Sequence, residues 1–232
     1  PNDDFGCDMN DLSDPAIDVY DNAMFIIALD YLLEMAPDSP QASRWKSLRE
    51  GIERNVRAHL WDVKRQKFIP HIYPEKSPIP EGFDELAIHY HGGTAIAIEA
   101  GLLSKDEIRT VNAQMLENVR LSGMPSIGLT LYPVYPDGFF HGGMSKAYLY
   151  QNGGDWTWFG GRMIQQLVVN GMVEEAYAEI HPMIERVIQN DGFYEWYGKG
   201  GVPSGSGNFK GSAGVLSKAI ELLRDWAEKN KS

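Results

Sequence analysis

The sequence is poor in cysteine, in long apolar segments and in basic residues, and each shortage excludes a class of protein. Cys7 is the single cysteine, so an internal disulfide or a thiolate zinc cage cannot form. No run of about 18 apolar residues is present, so we expect no membrane-spanning helix. The formal charge of −11 argues against nucleic-acid binding, because a phosphate backbone attracts a basic face.

The composition that is present is that of a packed globular chain. With 232 residues, of which 43% are hydrophobic and 11% aromatic, it has ample material for a core. We expect a soluble protein with a neutral substrate, and the compartment stays open. No motif for zinc, calcium or a phosphate loop occurs, so no metal and no cofactor are inferred. Because the chain starts at Pro1 in an acidic stretch, we expect a processed or truncated start.

Apolar residues recur at helical spacing in seven segments, which predicts an all-α fold with almost no strand. Asp14 and Pro15 are predicted to cap and start the first helix, and Ser104 with Glu107 forms a capping box for the fourth. Pairs of these helices are predicted to form hairpins, in an orthogonal bundle or in a toroid. The predicted helices after the first cover residues 39–60, 85–100, 104–119, 156–170, 173–189 and 212–229.

Glycine and aromatic residues concentrate in three connections rather than in the helices. These connections cover residues 123–143, 150–161 and 192–211. Long aromatic loops on one end of a helical scaffold are typical of a binding surface, because loops carry function on a rigid frame.

The connection from Tyr150 to Trp158 has the residues that a sugar site needs. Its paired glycines let backbone approach a ligand, its amides form hydrogen bonds, and its tryptophans offer flat faces to a sugar ring. A glycine turn capped by Asp155 before a helix with core aromatics is the structural alternative. The candidate binding residues here are Tyr150, Gln151, Asn152, Trp156 and Trp158, with Arg162 one turn further along.

A second stretch places Glu195 among four aromatic residues, from Phe193 to Tyr197, with Trp196 as a further candidate for sugar binding. In an apolar cleft, desolvation would favour the protonated carboxyl and suit it to proton transfer. In the alternative, Glu195 is simply exposed between rings that face inward.

Together these two stretches resemble the end of the six-hairpin glycosidases, the clan of alkaline invertases, trehalases, processing glucosidases and amylo-1,6-glucosidase-like proteins. The resemblance rests on Tyr-Gln-Asn-Gly-Gly before Trp156, then two helices, then Gly-Phe-Tyr-Glu-Trp-Tyr and a glycine-rich loop. It implies an (α/α)6 toroid over residues 1–232, either as a whole catalytic domain or as its carboxyl-terminal portion. It also implies an inverting glycoside hydrolase with Glu195 as general base.

Glycoside hydrolysis needs a second carboxyl group to protonate the leaving oxygen. The resemblance places this acid on an earlier aspartate, for which Asp21, Asp11 and Asp8 are available, and Asp21 fits the helix-start pattern best. Asp155 is a local alternative. Equally, Asp21 could be a first-turn aspartate that the helix dipole favours.

The chain departs from the clan at two points. Asp155 and Thr157 stand where relatives usually have a neutral residue and proline, and seven helices are predicted where a closed toroid uses twelve. We therefore expect an incomplete ring: either the ring is open, or its amino-terminal hairpins belong to a missing part of a larger chain that would be a partner. The resemblance implies an oligosaccharide as the other partner.

Two other functions stay open from the sequence. One is a non-catalytic helical module that binds sugar or acts as a scaffold. The other is a toroid-fold sugar epimerase or polysaccharide lyase, for which His89, His91 and His141 would have to converge in one cleft.

Overall fold

The computed structural model describes residues 16–140 and 142–230, and over these ranges the all-α prediction is confirmed. Asp14 and Pro15 lie outside the described residues, but the first helix begins only at Val19, after Asp18, so its predicted start was too early. The described residues contain seven α-helices: α1 Val19–Met35, α2 Ala42–His59, α3 His91–Glu99, α4 Lys105–Ser122, α5 Thr157–Val169, α6 Val173–Gln189 and α7 Lys210–Lys229.

The described part of the chain has six strands of two residues each, which form three antiparallel pairs. They are β1 Trp61–Asp62 with β2 Lys67–Phe68, β3 His89–Tyr90 with β4 Leu131–Tyr132, and β5 Trp196–Tyr197 with β6 Pro203–Ser204.

The helices form a two-layer arc of hairpins. Helices α1, α3, α5 and α7 contact one another in succession and make the inner layer. Helix α2 packs on α1, α4 on α3, and α6 on α5, so every second helix lies outside. The buried apolar residues form one continuous core between these layers. This alternation of inner and outer helices is that of a toroid rather than of an orthogonal bundle.

Local chemistry fixes several helix boundaries. The Asp18 carboxylate accepts a hydrogen bond from the Asp21 backbone N–H at 2.8 Å, so Asp18 caps α1. The predicted capping box is present, because the Ser104 N–H donates to Glu107 Oε2 at 2.8 Å and Ser104 Oγ accepts from the Glu107 N–H. Gly123 ends α4 in the left-handed conformation that glycine favours, with φ of 69°.

The third helix begins later than its periodicity predicted. Residues 85–87 form a single 3-10 turn, and strand β3 then pairs with β4 before α3 starts at His91. The glycines at its start allow close packing, because a Cβ on Gly92 would lie 3.0 Å from the Phe159 ring and one on Gly93 2.7 Å from Val19 Cγ1. This tight contact between inner helices overrides their low helix propensity.

Exposed apolar side chains lie at both ends of the arc. On α1 and α2 they include Phe25, Tyr31, Met35 and Leu48. At the other end, Tyr177, Ile220 and Trp226 border a groove between α6 and α7. No helix of the described residues is long and apolar enough to cross a membrane.

Candidate active site

An aromatic cavity of about 180 Å³ opens at one end of the inner layer. The first turn of α1 contributes Tyr20, and Tyr90, Trp156 and Phe209 immediately precede α3, α5 and α7. The amino ends of all four inner helices therefore converge here, where their dipoles favour negative charge. The complete lining is Tyr20, Tyr90, Gln151, Trp156, Trp158, Phe159 and Phe209.

Ring contacts hold the walls of this cavity. Trp156 lies 4.9 Å from Tyr150 and 6.1 Å from Phe209 between ring centroids, in edge-to-face geometry in both cases. The Trp156 indole N–H donates to the Tyr150 carbonyl at 3.1 Å, which satisfies its polar edge. The flat faces are thus fixed by contacts that the protein makes with itself.

Gln151 brings a polar atom to this apolar surface. Its Oε1 is buried and has no hydrogen-bond partner among the described residues. A buried acceptor without a partner is costly, and this oxygen is closed to the cavity, so a ligand could bind it only after the side chain turns. The cavity is thus lined by ring faces and by the Gln151 side chain.

Hydrogen bonds to Thr130 fix the glycine loop that carries Gln151. The Thr130 hydroxyl donates to the Gln151 carbonyl at 2.8 Å and accepts from the Gly153 N–H at 3.1 Å. The Tyr150 backbone lies in the left-handed region, with φ of 49°, a conformation that a non-glycine residue adopts only when its surroundings impose it.

Asn152 faces away from the cavity and holds the loop instead. It is fully buried, its Oδ1 accepts from the Tyr135 N–H at 2.9 Å, and its Nδ2 donates to the Tyr135 carbonyl at 3.1 Å. These two bonds occupy both ends of its amide.

Glu195, Tyr150 and Trp196 do not line the cavity, but Tyr150 joins Glu195 to the lining residue Trp156. The Tyr150 hydroxyl donates to Glu195 Oε1 at 3.4 Å, and the Ser206 N–H donates to Oε2 at 3.3 Å. The carboxylate is half-buried, and a Cβ on Gly205 would collide with it. Trp196 meets the Tyr150 ring edge-on at 6.2 Å. The structure thus brings Tyr150, Trp156, Glu195 and Trp196 together.

Asp155 lies under the site rather than on its surface. Its side chain is 0% exposed, and Arg186 Nη1 lies 2.7 Å from Asp155 Oδ1. The Ser126 hydroxyl is within 2.8 Å of both carboxylate oxygens. No route from the cavity to this carboxylate is open, so Asp155 acts on the site through its neighbours.

Comparison with known proteins supports the architecture. No protein-family model matches the sequence, and no curated protein matches it. Among solved structures, the chain is similar to a mannosylglycerate hydrolase of glycoside hydrolase family 63 from Thermus thermophilus. In complex with glucose, that enzyme aligns over 90% of this chain and 48% of its own, with TM-score 0.62 and 16% identity. In complex with Tris, the figures are 90%, 46%, 0.61 and 18%.

The fold is that of a six-hairpin glycosidase toroid. The chain spans just under half the length of these toroid structures, between 46% and 48%. At this level of identity the likeness concerns the fold, and the chemistry has to be argued from the residues of this chain.

Asp21, the candidate acid, and Arg162, a candidate for sugar binding, both lie near the cavity residues. Asp21 is half-buried in the first turn of α1, next to the cavity residue Tyr20, whereas Asp8 and Asp11 lie outside the described residues. Arg162 makes a two-pronged ion pair with Glu99 at 2.8 and 2.9 Å, and its guanidinium lies 4.8 Å from the Trp158 ring centroid. Arg162 therefore packs over one face of the Trp158 ring instead of lining the cavity.

His89 and His91 do not line the aromatic cavity. His91 is buried, and its Nε2 lies 2.9 Å from Asn118 Nδ2. Burial lowers the pKa of His91 to about 3 and that of His89 to about 4, so both are neutral at pH 7. His141 lies outside the described residues. Within the described ranges, no cluster of His, Cys, Asp or Glu could hold a metal.

A buried polar cluster behind the glycine loop has no counterpart in the sequence analysis. His71 Nδ1 lies 2.8 Å from Glu85 Oε1, which also accepts from the hydroxyls of Tyr73 at 2.7 Å and Tyr135 at 2.6 Å. Burial alone would raise the pKa of Glu85, but His71 and the hydroxyls outweigh it and lower that pKa. Since Asn152 binds the Tyr135 backbone, this cluster braces the loop.

Proposed function

We propose that the protein hydrolyses an O-glycosidic bond of an oligosaccharide, with one neutral pyranose ring in the aromatic cavity. The observation that carries the proposal is that the Glu195 carboxylate binds the Tyr150 hydroxyl, while the Tyr150 ring packs against the cavity residue Trp156 at 4.9 Å. Ring stacking, a few polar groups and an adjacent carboxylate are the elements of a glycosidase site.

The size and lining of the cavity favour an uncharged sugar. About 180 Å³ accommodates a single ring, and no Lys, Arg, Asp or Glu side chain is among its lining residues. The C–H face of a pyranose would stack on Trp158, which is more exposed than the buried Trp156, and a hydroxyl would bind the Gln151 amide once that side chain turns toward the cavity. A ring that bears a carboxylate or phosphate would lose hydration here and would meet only the partial positive charges of the helix amino ends, with no cationic side chain in the lining.

In the proposed mechanism Glu195 is the general base. Its carboxylate accepts a proton from a water molecule as that water attacks the anomeric carbon, and the bond to the leaving oxygen breaks with inversion. The general acid gives its proton to that oxygen. Asp21 is our candidate because it adjoins the cavity residue Tyr20. An inverting pair requires about 6.5 to 9.5 Å between the two carboxyl groups, which leaves room for the water.

Substitution of a cavity tryptophan tests where the sugar binds. In Trp158→Ala, we expect sugar affinity to fall on the order of tenfold, because a stacking face is lost. Trp226→Ala is the matched control, since Trp226 lies on the outer groove at the far end of α7. Isothermal titration with mono- and disaccharides gives the affinities, and circular dichroism verifies that both variants fold. Equal losses in the two variants would remove the cavity from the proposal.

Turnover of the wild-type protein on a panel of aryl glycosides and disaccharides tests the reaction. The proposal requires release of reducing sugar. Binding without bond cleavage would instead indicate a carbohydrate-binding module. An unsaturated product would indicate a lyase, and an altered sugar without cleavage an epimerase.

A further inference from the structure

Arg186 on α6 is a buried cation that does not line the cavity, yet it contacts three segments that build the site. It is 4% exposed. Its Nη1 lies 2.7 Å from Asp155 Oδ1, and its Nη2 donates to Thr157 Oγ1 at 2.7 Å. Its guanidinium carbon lies 4.0 Å from the centroid of the Tyr197 ring.

Each of these three contacts belongs to a different part of the site. Asp155 ends the glycine loop that carries Tyr150 and Gln151. Thr157 is the first residue of α5, directly between Trp156 and Trp158. Tyr197 lies two residues after Glu195, in strand β5. One guanidinium therefore touches the loop, the tryptophan pair and the strand of the proposed base.

Backbone hydrogen bonds transmit this constraint across the site. The Asp155 N–H donates to the Tyr197 carbonyl at 2.9 Å, and the Tyr197 N–H donates to the Asp155 carbonyl at 2.8 Å. Asp155 and Tyr197, whose side chains both contact Arg186, are thus also paired through their backbones. A change in the geometry at Arg186 would shift the loop and the Glu195 strand together.

The chemistry of the contact requires the planar fork of arginine. A guanidinium can face a carboxylate and a hydroxyl with separate nitrogens while its flat face lies on an aromatic ring. A lysine ammonium is a point charge, so it can keep the ion pair with Asp155 but cannot make all three contacts at once.

We infer that Arg186 is a positioning residue for the proposed hydrolysis. It sets the distance between Glu195 and the Tyr150–Gln151 side of the cavity, and it touches neither sugar nor water. This inference rests on the proposed function. A misplacement of about 1 Å can lower a rate on the order of 100-fold, so a residue outside the cavity can still govern turnover.

The substitution Arg186→Lys separates positioning from support of the fold. We expect kcat to fall on the order of 10- to 100-fold with KM within about twofold of wild type, because the sugar surface is intact and the base is displaced. Thr157→Val, which removes only one contact, should lower kcat by less. If Arg186→Lys does not fold, Thr157→Val carries the test alone.

Arg57→Lys is the matched control. Arg57 also pairs with a carboxylate, with its Nη2 2.7 Å from Glu107 Oε1, and lies over a ring at 4.7 Å from the Trp61 centroid, but far from the site on α2. We expect this variant to lose some stability and to keep the wild-type kcat. An Arg186→Lys variant, or a folded Thr157→Val variant, that keeps the wild-type kcat would overturn the inference.

Hydrogen exchange gives a measurement that does not depend on activity. In Arg186→Lys, and in Thr157→Val if the lysine variant does not fold, amides of residues 150–156 and 193–206 should lose protection together. Loss confined to α6 would overturn the inference. A wild-type protein that cleaves no glycoside would remove the proposed function but leave this exchange result standing.

Discussion

Helix α6 carries two buried charged side chains whose surroundings differ. Arg186 meets the Asp155 carboxylate at 2.7 Å and the Thr157 hydroxyl. Glu179, on the same helix and 8% exposed, meets only the Asn112 amide of α4, whose Nδ2 donates to Glu179 Oε1 at 2.8 Å. Burial raises the pKa of Glu179 to about 7, and the nearby Glu175 adds to this while the Asn112 hydrogen bond opposes it.

The difference shows what keeps a charge stable inside this fold. An ion has to be matched by an opposite charge and by hydrogen bonds, or it takes up a proton instead. Glu179 Oε2 and Asn112 Oδ1 are both buried without hydrogen-bond partners in the described part of the chain. A proton on Oε2 would allow it to donate to Oδ1 and satisfy both atoms. One part of α6 is thus held by an ion pair and the other by a neutral contact.

The ion pair should show the largest effect on stability. Asp155→Asn leaves the Arg186 charge buried without its counter-charge, and we expect the free energy of unfolding to fall by about 3 to 5 kcal/mol. Urea denaturation followed by circular dichroism measures this. The control is Asp30→Asn, whose side chain is 44% exposed beside Arg49, with an expected loss below about 1 kcal/mol. Similar losses in the two variants would contradict the comparison.

The neutral contact should make stability depend on pH. The folded pKa of Glu179 is above its ordinary value of 4.5, so its contribution is complete below pH 4.5 and is lost as the pH rises through about 7. The difference between the ordinary and the folded pKa of Glu179 corresponds to a loss of roughly 3 kcal/mol in the free energy of unfolding at high pH.

Comparison with Glu179→Gln isolates this contribution. The amide has no proton to lose. The free energy of unfolding of the variant, minus that of wild type, should therefore be larger at pH 8 than at pH 5. Urea denaturation at several pH values gives the difference, in which the other titrating groups, including His89 and His91, cancel. A constant difference between pH 5 and pH 8 would show that Glu179 ionises normally.

Periodicity predicted most of the fold because most of the helices have one apolar face, although only α1 and α4 have a side-chain cap at the amino end. Helix α4 carries its capping box and its terminal glycine in its own sequence. The late start of α3 could not be predicted from the sequence. It depends on pairing between β3 and the distant β4 and on packing of Gly92 and Gly93 against other helices.

The site was predictable only where its residues are close in sequence. Glycine-rich aromatic stretches pointed to Trp156, Trp158 and Glu195, which the structure places in and beside one cavity. Tyr20, Tyr90 and Phe209 complete the lining, but they meet only because the amino ends of the inner helices converge. Likewise, Arg186 could not be predicted as the partner of Asp155, because the two residues are far apart in the sequence.

The most direct test of the central claim is the turnover of Glu195→Gln. Glutamine keeps the size and hydrogen-bonding shape of the side chain but cannot accept a proton from the attacking water. We expect kcat on the best glycoside of the panel to fall by roughly 100- to 10,000-fold, while sugar affinity and folding stay as in wild type. Glu221→Gln, at an exposed position on α7, should keep wild-type turnover. Wild-type turnover in Glu195→Gln would contradict the claim that Glu195 is the general base.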